Sequence, residues 1–176
     1  MNHTLAGERT RQNREEAPKP FTEIERKFLV VGDAWKALAD GVRYRQGYLS
    51  VVKERTVRVR TIGDRGTLTI KGLTRGISRL EFEYDIPVAE AIVMLEEVCA
   101  QPLIEKTRFT IRLGPLTWEV DEFNGVNRGL VVAEVELASV GQRFERPAWV
   151  GEEVSNDPRY LNANLVRHPY TTWTTN

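Results

Sequence analysis

Strict alternation is the feature that most limits what this chain can fold into. From Phe21 onward, apolar and polar residues exchange places at every second position in one segment after another. Successive side chains of a β-strand point to opposite faces, so such a segment reads as a strand with two different sides. The pattern covers Phe21–Val30, Val42–Val52, Arg55–Ile62, Thr67–Lys71, Arg79–Ile86, Leu103–Leu113, Leu116–Phe123 and Leu130–Ala138. Turn chemistry fills the gaps, at Gly63-Asp64-Arg65-Gly66, Gly72 to Gly76, Gly114-Pro115 and Asn124 to Gly129. About eight strands joined mostly as hairpins are enough for an antiparallel sheet to close into a barrel.

Two segments depart from this rhythm. Val88–Ala100 sets Val88, Ile92, Leu95 and Cys99 at helical spacing, which predicts an amphipathic helix. Asp33–Asp40 reads as a short helix with Asp33 as its N-cap. From Phe144 onward the pattern is irregular, with helical turns expected around Pro158–Arg167. Residues 1–20 hold almost nothing to bury and are expected to form a mobile tail ahead of one domain spanning 21–176.

Composition narrows the function classes. Twenty-five basic residues balance 25 acidic ones, so the chain lacks the basic excess of a nucleic-acid groove. The longest uninterrupted apolar run, Ala91–Leu95, is far short of the roughly 20 residues needed to cross a bilayer. No apolar stretch follows the N-terminus as in a secretory signal, and Cys99 has no second cysteine to pair with. A soluble cytoplasmic protein is expected.

The charges are arranged unusually. Glu23, Glu25 and Lys27 share one strand face, as do Arg58 with Arg60, Arg79 with Glu81, Glu83 and Asp85, and Lys106 with Arg108. Glu119 with Asp121, and Glu134 with Glu136, repeat the arrangement, and Lys71 opposes Ile70. Alternation normally means a solvated face over an apolar core. These faces are dense in both signs, with few neutral spacers, and the signs are segregated by strand. Like charges two residues apart repel unless something of opposite sign binds between them. A divalent ion would satisfy the carboxylate strands and a polyanion the cationic ones. The expected architecture is therefore an α+β, mainly β fold: a closed eight-stranded antiparallel barrel with a charged lumen and helices packed outside. Carboxylates suit Mg²⁺ or Mn²⁺, and arginine forks suit phosphate oxygens.

The run Glu23-Ile24-Glu25-Arg26-Lys27, followed by Phe28-Leu29-Val30, resembles the ExExK signature of the CYTH superfamily, the triphosphate tunnel metalloenzymes. Gln46-Gly47-Tyr48-Leu49, Arg58-Val59-Arg60, Glu105-Lys106-Thr107-Arg108 and Glu134-Val135-Glu136 resemble its compact bacterial members, as do Glu153-Val154, Asp157, Arg159-Tyr160 and Asn162. The likeness spans roughly residues 21 to 169, and the ordered succession of basic and acidic strands is more specific than the short motif alone. It implies an eight-stranded tunnel holding a triphosphate and divalent metal. By that resemblance Glu23, Glu25, Glu134 and Glu136, with Asp121 and Glu83, are metal ligands. Lys27, Arg58, Arg60, Lys71, Arg79, Lys106 and Arg108 are triphosphate-binding cations. Tyr48 and Lys27 stand where some members place a water-activating pair. Thr22 precedes the motif, and the two histidines, His3 and His168, lie far from it.

The resemblance implies metal-dependent hydrolysis of a triphosphate, foremost inorganic tripolyphosphate. Thiamine or nucleoside triphosphate hydrolysis and adenylate cyclisation are alternatives on the same fold. A non-catalytic polyphosphate-binding module and a plain barrel with outward charges are the rivals of other classes. The four carboxylates Glu23, Glu25, Glu134 and Glu136 favour bound metal over the binding module. The expected partner is a small-molecule triphosphate rather than nucleic acid or membrane, with a homodimer left open. Lys27 is expected to lower the Tyr48 pKa toward neutrality. Trp35, Trp118, Trp149 and Cys99 are expected to pack, and His168 to lie on the surface.

Overall fold

The structure, a computed structural model, describes residues 21–174. The expectation for residues 1–20 lies outside them. Eight strands form an antiparallel ring: β1 (Thr22–Val30), β2 (Gly41–Val52), β3 (Arg55–Ile62), β4 (Arg65–Gly72), β5 (Ser78–Ile86), β6 (Ala100–Leu113), β7 (Leu116–Phe123) and β8 (Val131–Glu136). Around the ring the order is β5-β4-β3-β2-β6-β7-β8-β1, and pairing of β1 with β5 closes it. Closure uses only the first half of β1, Thr22 to Ile24 against Leu80 to Ser78. Beyond that point β1 turns to a ninth strand, β9 (Val150–Glu153), within the stretch expected to be irregular. Four residues are too short for alternation to announce a strand.

Local chemistry explains the tight connections. Gly63 and Gly114 take φ of +58° and +59° at the β3–β4 and β6–β7 turns, a left-handed conformation that glycine adopts without steric cost. Gly47 is required for a different reason. A Cβ there would lie 2.6 Å from the Cys99 Cβ, so only glycine lets β2 pass that close to the start of β6. That approach fixes the neighbouring Gln46 and Tyr48.

Apolar faces point outward, as the alternation requires, but their cover is uneven. Helix α1 (Val88–Val93) continues as a π-helical turn over Met94–Val98, and Cys99 is already extended. Its buried residues are Ala91 and Leu95, which with Cys99 pack on Val59 and Leu68. Ile92, expected on that face, is exposed, because the helix settles through the smaller Ala91. The Asp33 helix is reduced to one 3₁₀ turn, Ala34–Ala37, and the Asp33 side chain caps nothing. Trp35, Trp118 and Trp149 are buried in the main outer core with Phe28, Ile111, Val120 and Val135. A second cluster, including Leu130, Leu165 and Val166, joins the ring to the short C-terminal helix α2 (Asn162–Leu165). On the outer face of β5 Leu80 and Tyr84 stay exposed, and Phe82 between them stacks on Phe21 at 5.2 Å between ring centroids. His168 lies on the surface.

Candidate active site

The ring encloses a cavity of about 810 Å³, and nearly every charged face predicted to point inward lines it. Glu23, Glu25 and Lys27 enter from β1, Arg58 and Arg60 from β3, Lys71 from β4, and Arg79, Glu81 and Glu83 from β5. Arg108, Glu119, Glu134 and Glu136 complete the wall from β6, β7 and β8. Tyr48 faces it from β2 while also packing against Leu130 and Leu165, so it is a lumen residue and a core residue at once. Lys106 and Asp121 are fully buried and do not line the cavity. They are bonded to each other behind its surface, which removes Asp121 from direct reach of an ion in this arrangement. Asp85 sits at the exposed rim and accepts from Arg65 at 3.0 Å.

Segregation of sign by strand does not leave most charges unpaired. Cationic β4, β3 and β6 lie on one arc of the ring and acidic β7 and β8 on another, while β1 and β5 carry both signs. Long side chains meet opposite charges at the borders or across an intervening strand. Lys27 binds Glu134 and lies 3.5 Å from Glu25. Arg108 Nη2 donates to Glu134 at 2.9 Å and to Asp121 at 2.6 Å, and Arg108 also pairs with Glu119. Arg79 Nε donates to Glu23 at 2.6 Å, and Lys71 Nζ lies 3.2 Å from Glu23 and 2.7 Å from Glu81. Arg60 donates to Glu83 at 2.8 Å. Arg58 is the poorly satisfied member: it donates to Thr69 at 3.2 Å, Glu83 and Glu81 stand at 3.7 and 3.9 Å, and its buried Nε has no partner among the described residues.

Protonation follows from these partners. Burial and the nearby Arg58 pull the Lys71 pKa down despite Glu23, and burial with Arg58 does the same to Arg60 despite Glu83. A cation held below its ordinary value gains from an added anion. Burial also opposes the charge on Lys27, but Glu134 and Glu25 outweigh it and hold its pKa up. Burial and Arg108 push Lys106 down to about 8. Glu134 is held well below the carboxylate range because Lys27 and Arg108 overcome its burial. Glu136 goes the other way: burial and the carboxylates of Glu23, Glu81, Glu119 and Glu25 raise it. The Tyr48 pKa is raised, not lowered. Burial dominates, and the opposing pull of Arg58, Arg79 and Lys27 is too weak to reverse it. Its hydroxyl accepts from Gln46 Nε2 at 3.3 Å.

Two inward residues outside the predicted site set share its parity: Glu81, which lines the cavity on the face of Arg79, and Thr69, fully buried on the face of Lys71, which donates to Glu83 at 2.8 Å. Lining residues at the mouth were not legible: Leu161, Asn162, Asn164 and Arg167 sit on or beside a one-turn helix with no period to read. Among the described residues, no three acidic, cysteine or histidine side chains are gathered tightly enough to hold an ion, since most carboxylates here turn to cations. Glu136 is the exception in charge. The raised pKa beside four carboxylates marks a negative pocket of hard oxygen donors, the chemistry that fits a hard divalent cation.

Comparison with known proteins agrees with this geometry. An inorganic triphosphatase of Acetivibrio thermocellus is 57% identical over 148 residues, covering 84% of this chain and 95% of that protein. One from Nitrosomonas europaea is 39% identical over 155 residues, covering 83% and 97%. The solved inorganic triphosphatase NE1496 superposes with a TM-score of 0.58 at 35% identity, over 82% of this chain and 93% of that one. A Pyrococcus furiosus protein, at 20% identity and a TM-score of 0.53, shares the fold over 68% and 80% of the two chains. With the CYTH domain model matching residues 22–170, a span that holds the closed ring and every charged strand lining its cavity, the chain belongs to the CYTH domain family.

Proposed function

We propose that this protein is a divalent-metal-dependent triphosphatase that converts inorganic tripolyphosphate and water to pyrophosphate and orthophosphate. The observation that carries the reading is the coexistence, on one cavity wall, of under-neutralised cations and an under-neutralised carboxylate group. Arg58, Arg60 and Lys71 gain from an incoming anion, whereas Glu136 and its neighbours gain from a cation. A metal–triphosphate complex satisfies both at once. A module that only binds polyphosphate has no need of the second group. The names of the two bacterial relatives point the same way.

Arg58 and Arg60, two residues apart on β3, present guanidinium donors to successive phosphoryl groups, and Lys71 and Arg79 extend the row toward Glu23. Glu136, joined by Glu23 and Glu25 once these turn from Arg79, Lys71 and Lys27, would hold a divalent ion, whose chemistry is to neutralise charge on the transferring phosphoryl group. Glu134 keeps Lys27 charged and aimed into the cavity. Tyr48 faces the cavity with its oxygen accepting from Gln46, and its ionised form would take a proton from the attacking water. Phosphoryl transfer depends mostly on such positioning and charge stabilisation. The substrate is a small molecule, and a reducing cytoplasm suits the lone Cys99. No helix among the described residues is long and apolar enough to cross a membrane.

The test is phosphate release from tripolyphosphate, with Mg²⁺ or Mn²⁺ and again in excess EDTA. Turnover that requires the metal is expected, and full turnover in EDTA would end the metal assignment. The mouth favours one second reading. Val51, Val52, Leu161 and Ala163 form a neutral, partly apolar margin able to accept an organic group on a triphosphate, so thiamine and nucleoside triphosphates belong in the same assay.

A further inference from the structure

Two lumen arginines and the lysine buried behind the wall crowd the ring of Tyr44. This tyrosine lies on β2 with the same inward parity as Gln46 and Tyr48, opposite Lys106 on β6 and Ile62 on β3. The Cζ of Arg108 is 5.3 Å from the ring centroid, that of Arg60 is 5.4 Å, and the Lys106 Nζ is 6.0 Å. Both arginines line the cavity, whereas Tyr44 and Lys106 do not, so the ring backs the two guanidinium groups from behind. Arg60 and Arg108 are close enough for each to oppose the other's charge, which contributes to the lowered pKa of Arg60. Arg108 is held there by Asp121, Glu134 and Glu119, whereas Arg60 has far fewer partners.

We infer that Tyr44 is a positioning residue for substrate: its ring holds Arg60 beside Arg108 and in place for the phosphate chain without neutralising it. This rests on the triphosphate reading of the site. The physical point is the difference between an aromatic ring and a carboxylate as a support. A carboxylate orients an arginine by taking its N–H donors and its charge, and so competes with the phosphate. The negative face of a ring attracts the same cation while leaving its charge in place and its in-plane donors free. Elsewhere in the lumen the supports are carboxylates, as Glu23 is for Arg79 and Asp121, Glu134 and Glu119 are for Arg108. At Arg60 a single carboxylate among the described residues, Glu83, is within 4.0 Å and Thr67 Oγ1 accepts from Nε at 3.4 Å, and the Tyr44 ring adds the third support.

Replacing the ring with an aliphatic side chain separates this role from simple filling. Tyr44→Leu keeps apolar bulk and loses the π face; Tyr44→Phe keeps the face and loses the hydroxyl. Binding of inorganic tripolyphosphate is measured by calorimetry, and KM and kcat by phosphate release, with the melting temperature of each variant. We expect Tyr44→Leu to weaken binding and raise KM five- to thirtyfold, with kcat changed less than threefold, and Tyr44→Phe to match the parent protein. If Leu and Phe variants both bind like the parent, or both lose affinity equally, the inference is overturned. The two readings fail separately. A parent protein that binds tripolyphosphate without cleaving it refutes the hydrolase, while the Leu-against-Phe difference in affinity still supports Tyr44 in this role.

Discussion

Glu134 and Glu136 stand two residues apart on the same face of β8, and their neutralisation should move stability in opposite directions. Glu134 is buried between Lys27 and Arg108, which hold its pKa well below the usual carboxylate value. A depressed acid contributes stability above its unfolded pKa and loses it as pH falls through the folded value. Glu134→Gln keeps the shape but strands two buried cations. Removing one partner of a buried pair costs roughly 3–5 kcal/mol, and the amide oxygen together with Glu25 and Asp121 recovers part of that, leaving about 2–4 kcal/mol. At roughly 2–4 °C per kcal/mol for a chain of this size, the melting temperature should fall by about 5–15 °C. Glu136 has the reverse sign. Its pKa is raised by burial and four carboxylates, so its ionised form opposes folding at neutral pH and protonation relieves that cost. The group is exposed, so solvent screening limits the gain from Glu136→Gln to a few tenths of a kcal/mol, about 1 °C. Both variants should lose activity by orders of magnitude. Scanning calorimetry of the metal-free proteins from pH 5 to pH 8 makes the comparison. A Glu134→Gln protein as stable as the parent, or a Glu136→Gln protein several degrees less stable, would refute the assignment of paired and unpaired carboxylates.

Three further outcomes follow from the same geometry. Arg58→Met should raise KM for tripolyphosphate at least tenfold while shifting the melting temperature by less than about 3 °C, because the native Nε is buried without a partner among the described residues; unfolding of this variant without ligand would make Arg58 a structural ion-pair member instead. Tyr48→Phe should lower kcat by roughly ten- to a thousandfold with little change in KM, the range general-base contributions span. With the tyrosine pKa raised, the parent's rate should still be climbing above pH 9, and a Phe variant with the parent's profile would reduce Tyr48 to packing. A chain beginning at Pro20 should keep activity and melting temperature, since the family match starts at residue 22; loss of either would give the first twenty residues a part in the fold or the site.

The sequence determined which residues face the lumen. Parity is a local property: once Glu23, Arg58 or Lys106 sits on a strand, covalent geometry sends every second side chain to the same side. That is why the ring, the inward charges and the outward tryptophans were all readable, and why β9 was not, being too short to show a period. Partnership was decided by the closed sheet alone. Lys27 meets Glu134 across 107 residues of sequence, and the register of β1 on β8 makes that contact while leaving Glu136 among carboxylates. The same closure buries Lys106 with Asp121 behind the wall, raises Tyr48 by desolvation where a neighbouring lysine alone would have lowered it, and sets the Tyr44 ring against two arginines. Strand period says which way a side chain points, but its charge state and its partner depend on distances between strands, and those exist only once the ring has closed.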